Sequence, residues 1–199
     1  IIGGQGDDII DGGTGNDEIH WTVGDGRDFI NGGLNEDTVV INGDAANEAF
    51  VVYSRQAALA NGITAINGAT EIVITRNGVI AVELDNVEEI IINTGDGNDS
   101  VFPLGNFVGT SLNFNTITIN GGTGDDTIDV SGLTSAHRVV FRSNGGNDTI
   151  VGTIRAQDVI LFPDRQRQRD TVLQQRLALH HLCRAGAAAV PEHTASGWQ

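Results

Sequence analysis

Residues Gly3 to His20 read GGQGDDIID followed directly by GGTGNDEIH, two nine-residue units with no gap between them. In each unit glycine fills the first, second and fourth positions, aspartate the sixth and isoleucine the eighth. The glycines admit left-handed and otherwise strained backbone angles that a β-carbon would penalise. The last three residues are extended, and the eighth side chain, Ile10 or Ile19, points to one face. One unit buries almost nothing alone, so units must stack.

The turns carry a definite chemistry. A turn this tight aims several backbone carbonyls inward, and the sixth-position carboxylates of Asp8 and Asp17 join them. Carbonyls at Gly4, Gly6, Gly13 and Gly15 plus carboxylates make a hard, all-oxygen cage, which suits Ca²⁺ better than a transition metal. Two less regular units follow. Val23 to Asn31 keeps Gly24, Gly26, Asp28 and Ile30. It starts eleven residues after Gly12, so Trp21 and Thr22 are expected to form a two-residue bulge. Gly32 to Val40 keeps Gly32, Gly33, Asp37 and Val39, with Asn35 in place of the third glycine. Asparagine is the best non-glycine choice for a left-handed position.

These units resemble the RTX repeats of haemolysin-type secreted bacterial proteins. The resemblance implies an all-β fold, a parallel β-roll or β-solenoid with stacked Gly-Asp turns. Two consecutive nonapeptides make one coil, and calcium lies between stacked turns on the same side. That would pair Asp8 with Asp28 and Asp17 with Asp37. The resemblance also implies an extracellular, secreted or cell-surface location and type I secretion.

Charge and composition fit that picture. The 199 residues carry a net charge of −15 and contain no lysine. Residues 1–163 hold 23 acidic and 6 basic residues, whereas residues 164–199 hold 5 basic and 3 acidic. The acidic body argues against nucleic acid and anionic membranes, which require basic patches. It also resists compaction unless cations bind. No apolar run approaches the ~18 residues of a membrane span. The single cysteine, Cys183, excludes an internal disulfide framework, so calcium is the expected staple. The chain lacks methionine and begins Ile1-Ile2 against a repeat, which reads as a fragment or processed product, with upstream repeats or domains left out.

Three regions are expected: a calcium-binding β-roll over 1–45, a β-rich solenoid-like region with degenerate turns over 46–163, and a tail over 164–199. In the second region, strands are expected at Thr38–Asn42, Ala49–Ser54, Ile63–Ile66, Glu71–Thr75 and Val79–Leu84. Asn77-Gly78 marks a two-residue hairpin, and Gln56–Ala60 is a loop or a single helical turn. Tyr53, Arg55 and Arg76 read as packing and surface groups. From Val87 the turn signal returns three times, each time after an aliphatic strand (Glu89–Asn93, Thr116–Asn120 and Val139–Arg142). These turns place Asp99, Asp126 and Asp148 at the sixth position as further calcium candidates, and the body closes at Asp158–Phe162. Asp7, Asp125 and Asp129 read as solvated or outer groups. Thr171–Cys183 of the tail has helix-favouring composition. An export signal, a frayed end and a stretch foreign to the protein all remain open for that tail.

Other glycine readings fail. The dinucleotide fingerprint requires a third glycine where Ile9 and Glu18 stand, a P-loop requires a lysine, and an EF-hand requires flanking helices. His180, His181, Cys183 and His193 match no zinc spacing, and His20 and His137 read as surface groups. A polysaccharide lyase on a parallel β-helix would combine calcium aspartates with an arginine base. Arg138 and Arg142 lie near Asp126 in sequence, with nothing beyond proximity to support that role. The expected function is therefore that of a calcium-binding structural module, folding on calcium binding and supporting an attached domain, and not itself an enzyme. The alternatives are the C-terminal part of a secreted peroxidase, protease or lipase, or a segment of an adhesin.

Overall fold

The computed structural model describes residues 1–162. The tail assignments, including Thr171–Cys183 and the His180, His181, Cys183 and His193 group, lie outside the described residues.

Short extended segments alternate with tight turns along the chain. In order they are β1 (Ile9–Asp11), β2 (Glu18–Thr22), β3 (Asp28–Asn31), β4 (Thr38–Asn42), β5 (Ala49–Ser54), α1 (Arg55–Ala60), β6 (Ile72–Arg76), β7 (Val79–Asp85), β8 (Glu89–Gly95), β9 (Ser100–Leu104), β10 (Ile117–Gly121), β11 (Thr127–Asp129), β12 (Val139–Arg142), β13 (Thr149–Val151) and β14 (Val159–Leu161). Successive segments swing between two sheets. One has the order β1-β3-β7-β6-β5-β9-β11-β13, the other β2-β4-β8-β10-β12-β14. Pairing is parallel everywhere except β5–β6 and β6–β7. This is a β-roll, with one antiparallel insertion.

The eighth-position aliphatics set the register. Ile19 stands beside Val39, Val39 beside Ile90, Ile90 beside Ile117, and Ile117 beside Val139. Ile10, Ile30 and Leu84 form the matching column in the other sheet. All are buried, and each such side chain contributes about 1.5–3 kcal/mol on leaving water. A one-residue slip would turn every one of them outward, so the columns also fix the register of the turns.

The expected bulge at Trp21 and Thr22 is absent. Both residues lengthen β2 and pair with Ile41 and Asn42 of β4. The extra length is absorbed because Trp21 is buried, with its indole N–H donating to Gly26 O at 2.9 Å. The expected strand at Ile63–Ile66 is also absent. β6 is already paired on both edges, so this segment has no ladder to join. Its neighbours are held by side chains instead: Arg27 reaches Ala65 O, and Arg55 Nη1 donates to Asn67 O at 2.8 Å. The region from 55 to 60 resolves as the short helix α1, N-capped by Ser54.

β5, β6 and β7 are spliced into one sheet where the other goes directly from β4 to β8. The Asn77-Gly78 hairpin has φ of 50° and 79°, as the two-residue turn requires. Both backbone and side chain of Asn77 bond Ala49, each at 2.8 Å.

Candidate metal centres between stacked turns

The turns gather on the two edges of the roll. Along one edge lie the turns ending at Asp8, Asp28, Glu48, Asp99, Asp126 and Asp148, each followed by a strand of the eight-stranded sheet. Along the other lie those ending at Asp17, Asp37 and Glu88.

Neighbouring turns share one hydrogen-bond pattern. The sixth-position carboxylate accepts, through Oδ1, the backbone N–H of its counterpart one coil earlier. Asp28 accepts from Asp8 at 3.0 Å, and Asp37 from Asp17 at 2.7 Å. Asp126 accepts from Asp99, and Asp148 from Asp126, each at 3.0 Å. The turns at Asp99, Asp126 and Asp148 thus stack on one another. The sequence spacings of 27 and 22 residues between them reflect long connections on the opposite edge.

The second oxygen of these carboxylates is different. Oδ2 of Asp8, Asp17, Asp28, Asp37, Asp99 and Asp126 is buried and receives no hydrogen bond. A buried carboxylate oxygen with no donor carries a desolvation cost of about 1–3 kcal/mol or more. Six at equivalent positions form a pattern that a cation would relieve. The turns also leave no room for side chains at the seams. A β-carbon on Gly26 would lie 2.2 Å from Gly6 O, and one on Gly33 would lie 2.3 Å from Gly13 O. These carbonyl oxygens therefore face the adjoining turn. Gly4, Gly6, Gly13, Gly15, Gly24, Gly26 and Gly33 all have positive φ, and so does Asn35 at 91°. The left-handed role read for Asn35 is the one it plays.

Among the described residues no three His, Cys, Asp or Glu side chains converge as a ready-made cage. Each seam supplies carboxylates in pairs, so further oxygens have to come from the turn carbonyls. Such a donor set is wholly oxygen and fits a hard cation.

Burial pushes the carboxyl of Asp126 up to about 6, with the charges of Asp148, Asp99 and Asp125 adding to it against the Asp99 hydrogen bond. Burial likewise raises Asp28, Asp99 and Glu88. Without a cation these turns hold charge against its preference.

The remaining candidates have other partners. Asp125 and Asp7 are not merely solvated. Asp125 accepts the Asn147 N–H, and Asp7 accepts the Arg27 N–H at 3.1 Å, so the fifth-position side chains also tie turn to turn. Asp129 accepts from Ser131 N at 2.8 Å. His137, expected on the surface, is buried between Ser135 Oγ at 2.9 Å and Leu112 O at 3.0 Å, and stacks on Phe114. The long connections around it build a side cluster that no local pattern in the sequence announces. Arg142 donates to Asn120 Oδ1 at 3.1 Å, ending a ladder through Asn93 and Asn42. Arg138 precedes β12 on the edge opposite Asp126. Neither arginine is placed against a sixth-position aspartate by any hydrogen bond.

Sequence reasoning missed two turns. Gly43 to Val51 is a degenerate nonapeptide, with Glu48 sixth and Phe50 eighth; the glycine, acidic and hydrophobic positions were the available signal. Glu88 aligns with Asp37 through the Thr38–Glu89 pair, but its turn is too short to show the period. Arg76, read as a surface group, pairs with Glu48 and with Asp44 at 3.2 Å.

The RTX calcium-binding nonapeptide repeat family matches residues 1–20, 22–47 and 118–132, in four copies. These segments are RTX-type calcium-binding repeats. They contain the turns at Asp8, Asp17, Asp28, Asp37 and Asp126, and reach into the degenerate turn before Glu48. The repeats make the chain a calcium-binding structural module. No curated protein and no solved structure matches the chain.

Proposed function

We propose that the sixth-position aspartates are the calcium ligands and that the ion drives residues 1–45 of the roll to fold. Asp8 with Asp28, and Asp17 with Asp37, hold calcium at the first two seams. Asp99, Asp126 and Asp148 do so at the later ones, with carbonyls of the glycine turns completing each shell. The observation that supports this most is the buried Oδ2 left without a donor at six equivalent positions. The module acts by becoming rigid where calcium is abundant and losing the structure of residues 1–45 where it is scarce. In that reading the protein is secreted, residues 1–45 are the most calcium-dependent part, and the module supports an attached domain and has no catalysis of its own.

A calcium titration followed by far-UV circular dichroism tests it. Extracellular modules bind at about 10⁻⁴–10⁻³ M, so the β-structure of residues 1–45 should appear across that range and vanish with chelator. Magnesium, which demands a small octahedral shell and sheds water reluctantly, should not substitute at equal concentration. An identical spectrum in chelator and in millimolar calcium would refute the reading.

A further inference from the structure

Two glutamates occupy the place that aspartate holds in the repeats, and their surroundings are opposite. Glu48 accepts the N–H of Asp44 at 3.2 Å, and its other oxygen is paired with the guanidinium of Arg76. That seam carries its own cation. Glu88 accepts the Asp37 N–H through Oε2 at 2.8 Å, the bond that Asp37 itself makes to Asp17. It has no arginine. The cleft beside it, about 330 Å³, is lined by Asp17, Glu18, Glu36, Asp37, Glu88 and Glu89 and, among the described residues, by no basic one.

We infer that Asp37 and Glu88 bind a further divalent cation, at a seam with no nonapeptide on its second side. Asp37 is fully buried, and its Oδ2, which has no donor, lies 2.8 Å from where a β-carbon on Gly32 would stand, on the side of Gly32 that meets the Asn86 carbonyl. The seam also has the steric signature of the repeats: a β-carbon on Gly32 would lie 2.1 Å from Asn86 O. A carbonyl from the incoming turn thus faces the outgoing one, as Gly6 O faces Gly26. The acidic lining selects for positive charge, and oxygens alone select for a hard ion.

The position gives the site its consequence. Glu88 is where the chain returns to the roll after the β5–β7 insertion. A cation there ties the turn before β4 to the turn before β8 across 51 residues of chain. It would couple closure of the insertion to calcium, whereas the Glu48 end of the same insertion is closed by Arg76 at any calcium level.

The inference rests on the calcium reading above, and the test separates the two. Bound calcium per chain is counted by equilibrium dialysis of the full chain at saturating calcium, for the unaltered protein, Glu88→Gln, Glu48→Gln and Asp8→Asn. Glutamine keeps the acceptor for the Asp37 N–H and removes only the charge. Glu88→Gln should lose one ion, and Glu48→Gln none. If Asp8→Asn loses an ion and Glu88→Gln does not, this inference fails while the calcium reading stands. If neither loses one, both fail. Crystals grown in calcium give a second measurement that needs no variant. An anomalous peak between Asp37 and Glu88 supports the site, and its absence alongside a peak between Asp8 and Asp28 overturns it.

Discussion

Asp126 accepts the Asp99 N–H through Oδ1 at 3.0 Å and keeps its Oδ2 buried without a donor. Burial and three neighbouring aspartates lift its carboxyl to about 6. In the unfolded chain the same group titrates near the ordinary value of 3.8. Between those values the native state binds more protons than the unfolded one, so stability falls as pH rises. Without divalent cations, the fold should therefore gain stability from Asp126 on acidification from pH 7 to 5. His137 pulls the other way, because burial lowers its pKa and its protonation is resisted. The clean measurement is thus the difference between the unaltered protein and Asp126→Asn in urea, in chelator. The difference should depend on pH in that window, and a constant difference would count against the assignment. With calcium bound the sign should reverse, since protons then compete with the ion.

Much of this is legible in the sequence. The nonapeptide period reports a two-part local rule, glycine for the turn and an aliphatic for the core, and both parts act within nine residues. Hence Asp8, Asp17, Asp28 and Asp37, the strand Thr38–Asn42 and the Asn77-Gly78 hairpin were all readable. What was not readable depends on pairing across long stretches of chain. Glu88 takes its role from standing beside Asp37, and Arg76 from reaching Glu48 across the β5–β6 pair. The Ile63–Ile66 segment has strand composition but no free sheet edge to pair with. His137 is buried by residues from two separate connections, a contact no periodicity encodes.

Glycine should be required at two turn positions for different reasons. Gly13 has φ of 92° and nothing within 4 Å of an added β-carbon. Gly13→Ala should therefore cost only the left-handed strain of about 1–2 kcal/mol. A β-carbon on Gly122 would lie 1.4 Å from Gly95 O, and backbone cannot swing aside as a side chain can. Gly122→Ala should cost more and should open the seam beside Asp126. Calcium-bound urea denaturation of both variants checks the order; equal losses would contradict it.

Asp17 and Asp125 offer a test of the repeat register. Asp17 holds a buried oxygen without a donor, whereas Asp125 is exposed and accepts the Asn147 N–H. Asparagine already fills the fifth position at Asn16, Asn98 and Asn147, and it keeps such a bond. Asp17→Asn should weaken calcium affinity much more than Asp125→Asn, and the gap should persist in added salt, which screens only diffuse charge. Isothermal titration at low and moderate salt decides this. Similar losses would mean that calcium is held by diffuse charge and not by the sixth position.

Arg76 should matter equally with and without calcium. Its guanidinium is only partly exposed and pairs with Glu48, whose side chain is fully buried, and with Asp44. Removing it leaves the Glu48 carboxylate buried without its cation. Breaking a buried pair from one side costs about 3 kcal/mol, the low end of the range, since water reaches the guanidinium. Arg76→Gln should show that loss in calcium. Glu48→Gln made together with it should restore much of the stability, because the uncompensated charge is then gone. If millimolar calcium alone rescued Arg76→Gln fully, the ion would be taking the guanidinium's place. The seam at Glu48 would then be a calcium site that the arginine merely occupies, and not one closed independently of the ion.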